Sequence, residues 1–257
     1  MLFLLRSLLL VGLTGGLAVV GARAFTDVVD TQFDGIRTHA EIGCKAFRSM
    51  PRHVDADVCH PYDRYRSSSF REFKKAASAL EAAKRAFALG DSALAHIELQ
   101  RAVDVADNID RRSMTIDALL ASRIVAGALD IIETQRLSPK DRLALLARVQ
   151  LSTGEAPLEG ERVHDQWTLT HDESSSGPFA RVAIANQARE DDVGFAEMQR
   201  ALLGGDVGRC ELALTSRDRP RFGAGICKRM AEVIATQKRL ERATAGAIHE
   251  LESSGEH

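Results

Sequence analysis

Apolar residues fill nearly every position of residues 1–25, and no later run of the chain is as uniformly apolar. The exceptions are Arg6, Ser7, Thr14 and Arg23. A positive start, an apolar centre over 7–20 and an Ala-x-Ala sequence at 22–24 are typical of a secretory signal peptide. An uncleaved signal anchor is the alternative, since the apolar centre extended to residue 1 would approach the ~20 residues of a membrane span. Both alternatives predict export of the remaining chain to the periplasm or the medium.

From Ser68 onward, apolar residues recur with the spacing of amphipathic helices. Phe73, Leu80 and Phe87 lie seven residues apart, with alanines beside them. Gly90-Asp91 is expected to end this helix, and Ser92 is expected to cap the next one. The second helix presents small and apolar residues on one face: Ala95, Leu99, Ala102 and Ala106.

The hairpin at about 70–107 resembles a single tetratricopeptide-type repeat. Gly90, Ala95, Leu99 and Ala102 match the turn glycine, the small residue, the large apolar residue and the second alanine of that family. The first helix carries alanines where the family has its aromatic and Leu-Gly positions, and no second copy follows. The resemblance implies a protein-interaction scaffold without chemistry of its own.

The pattern after residue 108 predicts two further helices. Asp110 is expected to cap a helix to about Gln135, which is apolar nearly all round from Ala118 to Ile132 and is therefore expected at the centre of the fold. Arg123 and Asp130 are its only charges between those positions, and each is expected to meet a partner on another helix, as a buried pair in one interpretation. Ser138-Pro139 predicts the start of a fourth helix that ends near residue 152.

The second half is predicted to begin with a linker at 154–160 and a segment at 161–171 that suits either a helix or an extended piece. The serines before Gly177 mark a break at 172–177. A helix from Pro178 to Gly204-Gly205 follows, with Gly194 as a point where it could kink or split. A short helix near 206–214 and a long one over 226–252 complete the pattern. The long helix carries a stripe spaced for helix packing: Met230, Val233, Gln237, Leu240, Thr244, Ala247 and Leu251.

These patterns predict an all-α bundle of about six to eight helices over 67–252. Residues 25–66 lack a steady period and are expected to be irregular apart from a short helix near 35–49. Residues 253–257 are expected to be a frayed tail.

The four cysteines, Cys44, Cys59, Cys210 and Cys227, are expected to be oxidised in an exported protein. Four cysteines allow three pairings. We favour Cys44–Cys59 and Cys210–Cys227, because the members of each pair are close in sequence and flank a turn-rich stretch.

The formal net charge is −2 and aromatic residues make up 5% of the chain, which argues against a general nucleic-acid-binding protein. The strongest functional signal is a local excess of positive charge near the C-terminus. It predicts a surface for a protein or an anionic envelope component, formed by Arg217, Arg219, Arg221, Lys228 and Arg229. The alternative is an ordinary solvated helix face.

Two groups of polar residues could hold a metal ion, and in both cases we favour an exposed polar segment. The first consists of His164, Asp165, His171, Asp172 and Glu173, and the second of His53, Asp55, Asp57 and His60. His164 and His171 would lie about 10.5 Å apart on a helix, which is too far for one ion.

The sequence contains none of the nucleophile or phosphate-loop motifs. We therefore expect no catalytic residue, no metal and no cofactor, and an exported interaction or scaffold protein. A helical bundle that binds a small ligand is one alternative, and a metal-assisted hydrolase that uses residues 164–173 is another. Contact with a membrane is expected only through an uncleaved anchor.

Overall fold

The computed structural model describes residues 27–45, 59, 62–110, 114–135, 137–147, 149–153, 155–171, 177–213 and 222–254. The predicted all-α class is confirmed, and no β-strand occurs within these ranges. The helices are α1 (27–45), α2 (Tyr62–Ala88), α3 (Ser92–Asp110), α4 (Thr115–Gln135), α5 (Pro139–Leu146), α6 (Glu155–His171), α7 (Pro178–Leu203), α8 (Val207–Ala213) and α9 (Phe222–Ser254). The leader and the group around His53 lie outside the described residues.

Helix α4 is the centre of the structure, as its apolar sequence predicts. It contacts α2, α3, α6 and α9. Leu129 and Ala128 have no exposed surface, and Ile124 and Ile132 are 1% exposed. A helix buried on most of its circumference needs apolar side chains on every face, which is the reason that its sequence shows almost no polar stripe.

The α2–α3 hairpin forms where the sequence predicts it. Gly90 has φ +79°, a conformation that favours glycine, and it ends α2. The cap of α3 is Asp91 rather than Ser92, because the Asp91 carboxylate accepts a hydrogen bond from the amide of Leu94 at 3.0 Å.

Two helix boundaries around α4 and α5 differ from the prediction because of contacts between distant segments. Asp110 is the last residue of α3, and its carboxylate accepts hydrogen bonds from the amide and the hydroxyl of Ser152 instead of capping α4. Ser138 caps α5 as expected. However, α5 ends at Leu146, and the amide of Leu151 bonds to the side chain of Gln237 rather than within a longer helix.

The second half is more regular than predicted. The expected linker at 154–160 is largely part of α6, which runs from Glu155 to His171 and includes the ambiguous segment. Helix α7 passes Gly194 without a break. Phe195 and Met198, which follow Gly194, are 4% and 0% exposed, and their burial offsets the roughly 1 kcal/mol that a glycine costs a helix. Gly205 has φ +74° and follows the end of α7.

The two disulfides join Cys44 to Cys59 and Cys210 to Cys227, which is the pairing that the sequence favours. The N-terminal prediction is partly wrong, because residues 27–34 are already helical, ahead of the helix expected near 35–49. Its buried stripe is Val29, Phe33, Ala40 and Cys44. This stripe has helical spacing, but two of its four residues are small, so it is a weak signal.

Candidate functional site

The basic residues near the C-terminus have different environments. Arg217, Arg219 and Arg221 lie outside the described residues, and Lys228 is exposed on α9. Arg229 points inward: its Nε donates to the hydroxyl of Thr115 at 3.1 Å, and its Nη2 lies 3.9 Å from the Glu161 carboxylate. Lys228 is thus the one described member of the set that faces the solvent, while Arg229 serves the contact of α9 with α4 and α6.

Other cations of α9 also pair within the protein. Arg239 binds Glu133 and Asp130 on α4, and its hydrogen bond to Glu133 and the one to Asp130 raise the pKa of Arg239 above its usual range. Arg123 of α4 binds Glu232 of α9. Arg123 and Asp130 therefore meet partners on another helix as expected, but the side chains of both are more than half exposed rather than buried.

The residues of the group at 164–173, for which metal binding was the alternative, do not converge within the described part of the chain. His164, Asp165 and His171 lie on α6, and Asp172 and Glu173 lie outside the described residues. His171 stacks on Trp167, and its Nδ1 donates to the Trp167 carbonyl at 2.9 Å. Among the described residues, no three His, Cys, Asp or Glu side chains are placed to share an ion.

A groove between α3 and α5 is the best candidate for a partner-binding site. It has a volume of about 620 Å³. Helix α5 packs mainly on α9 rather than on α3, which leaves the space between α3 and α5 open. The lining residues are His96, Ile97, Gln100, Arg101, Asp104 and Val105 of α3, and Asp141, Ala144 and Leu145 of α5.

Apolar side chains that face the solvent lie on the same helix as the groove. Ile97 is 63% exposed and Leu94 is 45% exposed, three residues apart on α3. Leu145, which lines the groove from α5, is 4% exposed. Leaving two large aliphatic side chains in water costs hydrophobic free energy that a partner surface would recover.

The polar rim of the groove carries both signs of charge. Arg101 lies 3.7 Å from Glu98, and Gln100 donates to Asp104 at 2.7 Å. These groups pair along α3, so they border the apolar strip without closing it.

His96 connects the two sides of the groove. Its Nδ1 donates to the Ser92 carbonyl at 2.6 Å, and its Nε2 lies 3.8 Å from the Asp141 carboxylate. The Nε2 atom is enclosed and has no hydrogen-bond partner among the described residues. Asp141 is itself held by the hydroxyl of Ser138 at 2.6 Å. Ser138 therefore holds Asp141 at the start of α5, and His96 of α3 lies opposite that carboxylate without a hydrogen bond to it.

The hydrophobic pattern of the sequence does not single out these residues. Ile97 and Leu94 stand beside the packing positions Ala95 and Leu99 and are separated from them by less than one helical turn. The groove that Ile97 lines depends on α5, which lies more than 40 positions further along the chain and packs mainly on α9. The nearest sequence signal was the resemblance of the hairpin to a family of interaction repeats.

Comparison of the chain with protein-family models, curated proteins and solved structures gives no match. Over the described residues, none of the helices combines the length and the hydrophobicity needed to cross a bilayer.

Proposed function

We propose that this protein is an exported, non-catalytic interaction protein that binds an amphipathic helix of a partner protein between α3 and α5. The observation that carries the proposal is the groove itself, with Leu145 at its base and Ile97 exposed at its edge. A third helix can lay an apolar face into the space between two splayed helices, and this is a common mode of peptide recognition.

The mixed charge of the rim favours a helix over a lipid surface as the occupant. Arg101 and Asp104 stand one turn apart at the edge of the apolar strip. A partner helix with charges of both signs beside its apolar stripe can complement both, whereas an anionic membrane would be repelled by Asp104 and Asp141.

The α2–α3 hairpin provides a rigid support for this surface. Ala95, Leu99 and Ala102, the positions that resemble a tetratricopeptide repeat, have no exposed surface. One face of α3 is thus committed to packing, and the opposite face is available to a partner. The resemblance implies a protein-interaction scaffold, and a free face on α3 supports that role.

The proposed location is the periplasm or the extracellular medium. The two disulfides indicate an oxidising environment. The leader supports the same location through its resemblance to a secretory signal. The basic residues Arg217, Arg219, Arg221 and Lys228 are proposed as an additional contact with an anionic envelope component.

The groove is tested by crosslinking in the native envelope. A photo-activatable residue replaces Gln100 in the groove, and a control replaces the exposed Ala196 on α7. We expect a defined crosslinked partner only from position 100, with its crosslinked peptide spaced as an amphipathic helix. Ile97→Glu should reduce this crosslink at least about tenfold, because it places a charge against the apolar stripe.

Leu203→Glu is the matched control, since Leu203 is 72% exposed at the end of α7. It should leave the crosslink unchanged. The joint reversal of Arg217, Arg219 and Arg221 to Glu tests the basic segment separately. Loss of the crosslink in both Ile97→Glu and Leu203→Glu, or in neither of them, would show that the groove is not the binding site. A crosslinked partner peptide that is extended would exclude a helix as the occupant.

A further inference from the structure

A second cavity, distinct from the groove, lies between α1, α6 and α7. It has a volume of about 410 Å³, which lies within the range of small-molecule sites. One wall is apolar and built from Ile36, Ala185 and Ala188. The cavity exists because small residues stand where larger ones could pack: Gly35 also lines it, and a Cβ atom added to Gly35 would meet nothing within 4 Å.

A buried amide gives this cavity a polar centre. Gln166 lines it and is 3% exposed. Its Nε2 donates to the Asp192 carboxylate at 2.8 Å, while its Oε1 has no hydrogen-bond partner among the described residues. Such a buried acceptor costs about 1–3 kcal/mol when it is left without a partner, so it is a place where a ligand donor would be favourable.

The side chains around Gln166 are held in place. Arg162 donates to Asp192 at 2.9 Å and to Glu159 at 2.8 Å. Asp192 therefore receives two hydrogen bonds on one oxygen, Oδ1, and its carboxylate stays on the cavity side of α7. An acceptor pair, the Gln166 amide oxygen and the Asp192 carboxylate, results from this network.

Arg189 completes the set of polar groups. It lines the cavity one helical turn before Asp192 and is exposed. No ion pair joins it to any described residue. Arg189 and Asp192 line the cavity with opposite formal charges, beside the imidazole of His39, and this pair suits a ligand that carries one negative and one positive group.

We propose that this cavity binds a small L-amino acid with an apolar side chain, a role that goes beyond partner binding in the groove. The α-ammonium group donates to Gln166 and Asp192, and the α-carboxylate pairs with Arg189. The aliphatic side chain lies against Ile36, Ala185 and Ala188. Each of the three chemical parts of the ligand thus has a matching group, as expected for a selective pocket.

The test measures binding of L-leucine, L-isoleucine, L-valine and L-methionine to the disulfide-bonded protein by calorimetry and by NMR shift changes. We expect saturable binding of at least one of them. L-Leucinamide, which lacks the carboxylate, and 4-methylpentanoate, which lacks the amine, should each bind at least about tenfold more weakly than leucine. If no amino acid of this set binds, or if 4-methylpentanoate binds as tightly as leucine, the proposal is wrong.

Two variants with matched controls assign the binding to the cavity. Gly35→Leu fills it and should abolish binding, whereas Gly246→Leu adds the same side chain to an open position on α9 and should not. Arg189→Gln should weaken the binding of leucine at least about tenfold but leave the affinity for leucinamide unchanged. Arg200→Gln, an exposed arginine of α7, should change neither.

A leucine affinity that is unchanged in Gly35→Leu would place the ligand elsewhere and overturn the proposal. Because Arg189 is exposed, the Arg189→Gln variant tests binding in this cavity without disturbing the fold, even if Gly35→Leu disturbs α1. Equal losses for leucine and leucinamide in Arg189→Gln would contradict the role given to that guanidinium group.

Discussion

A buried hydroxyl joins three helices that are far apart in the chain. The hydroxyl of Thr115 on α4 donates to Glu161 on α6 and accepts from Arg229 on α9 at 3.1 Å. The amide of Thr115 also donates to Glu161 at 3.2 Å. Thr115 is 0% exposed and Glu161 is 6% exposed, so each polar group there needs a partner inside the protein. Thr115 therefore links α4 to both α6 and α9 by hydrogen bonds inside the protein.

Replacing Thr115 tests whether its hydroxyl stabilises the protein. Thr115→Val keeps the shape of the side chain but removes the hydroxyl, so Glu161 loses a buried hydrogen bond and Arg229 loses a partly buried one. We expect the free energy of unfolding to fall by about 1–3 kcal/mol, measured by urea denaturation.

Thr134→Val is the control for this substitution. Thr134 lies on the same helix, is exposed, and donates only to the Asp130 carbonyl of its own helix. This variant should change stability by less than about 0.5 kcal/mol. Equal effects of the two substitutions would argue that the buried network contributes nothing specific.

At the scale of helices, α4 and α9 form a parallel pair with a regular contact. Arg123 pairs with Glu232, and seven residues further along both helices Asp130 pairs with Arg239 at 2.7 Å. Next to them, Val233 and Leu240 of α9 are buried in the same cluster as Ile124 and Leu129. The apolar contact holds the pair together, and the ion pairs flank it in partly exposed positions.

The ion pairs are expected to contribute little to stability. The Arg123 and Glu232 side chains are 53% and 43% exposed, and water screens pairs of this kind. A double-mutant cycle with Arg123→Gln and Glu232→Gln should give a coupling free energy below about 1 kcal/mol that decreases further in high salt.

The measurement is thermal or urea unfolding of the four proteins in the cycle. A coupling free energy above about 2 kcal/mol would indicate that the pair is desolvated and that the helices meet more tightly than their exposure indicates. A coupling free energy that does not change with salt concentration would indicate the same.

At the scale of the whole molecule, α9 connects two clusters of the core. Val233 and Leu240 belong to the cluster around α4, while Ile226 and Met230 belong to the cluster formed with α6, α7 and α8. The Cys210–Cys227 disulfide lies in the second cluster, with both cysteines 0% exposed. The bond ties α8 to the end of α9 that serves the second half of the protein.

Removal of this disulfide should lower the stability of the protein. The two cysteines are 17 residues apart. Chain entropy predicts a loss of about 3 kcal/mol in the free energy of unfolding for Cys210→Ala with Cys227→Ala. The measurement is denaturant unfolding of the variant and the native protein under oxidising conditions.

Reducing agent provides the control for the second bond. In the Cys210→Ala, Cys227→Ala variant the reducing agent acts only on Cys44–Cys59. Any further decrease in the free energy of unfolding therefore reports on the attachment of α1. A variant within about 1 kcal/mol of the native protein would show that the core of the second half, rather than the crosslink, holds α8 in place.

Much of the helical layout was predictable because it depends on local chemistry. The Ser138 cap, the turn at Gly90 and the apolar sequence of α4 each act over a few residues, and all three predictions are confirmed. The boundaries that were wrong involve distant partners. Asp110 binds Ser152 and Gln237 binds Leu151, and neither sequence segment identifies the other.

The two candidate sites were beyond the reach of local patterns for the same reason. The groove requires α5 to lie beside α3, and the cavity requires Gln166 and Asp192 to meet opposite Gly35 on α1. The helical class and the central helix follow from spacing and composition, because these decide which residues are buried within an element, and the favoured cysteine pairing follows from closeness in the chain. Which exposed side chains surround an open space depends instead on how helices far apart in the chain pack against one another, and no local pattern contains that information.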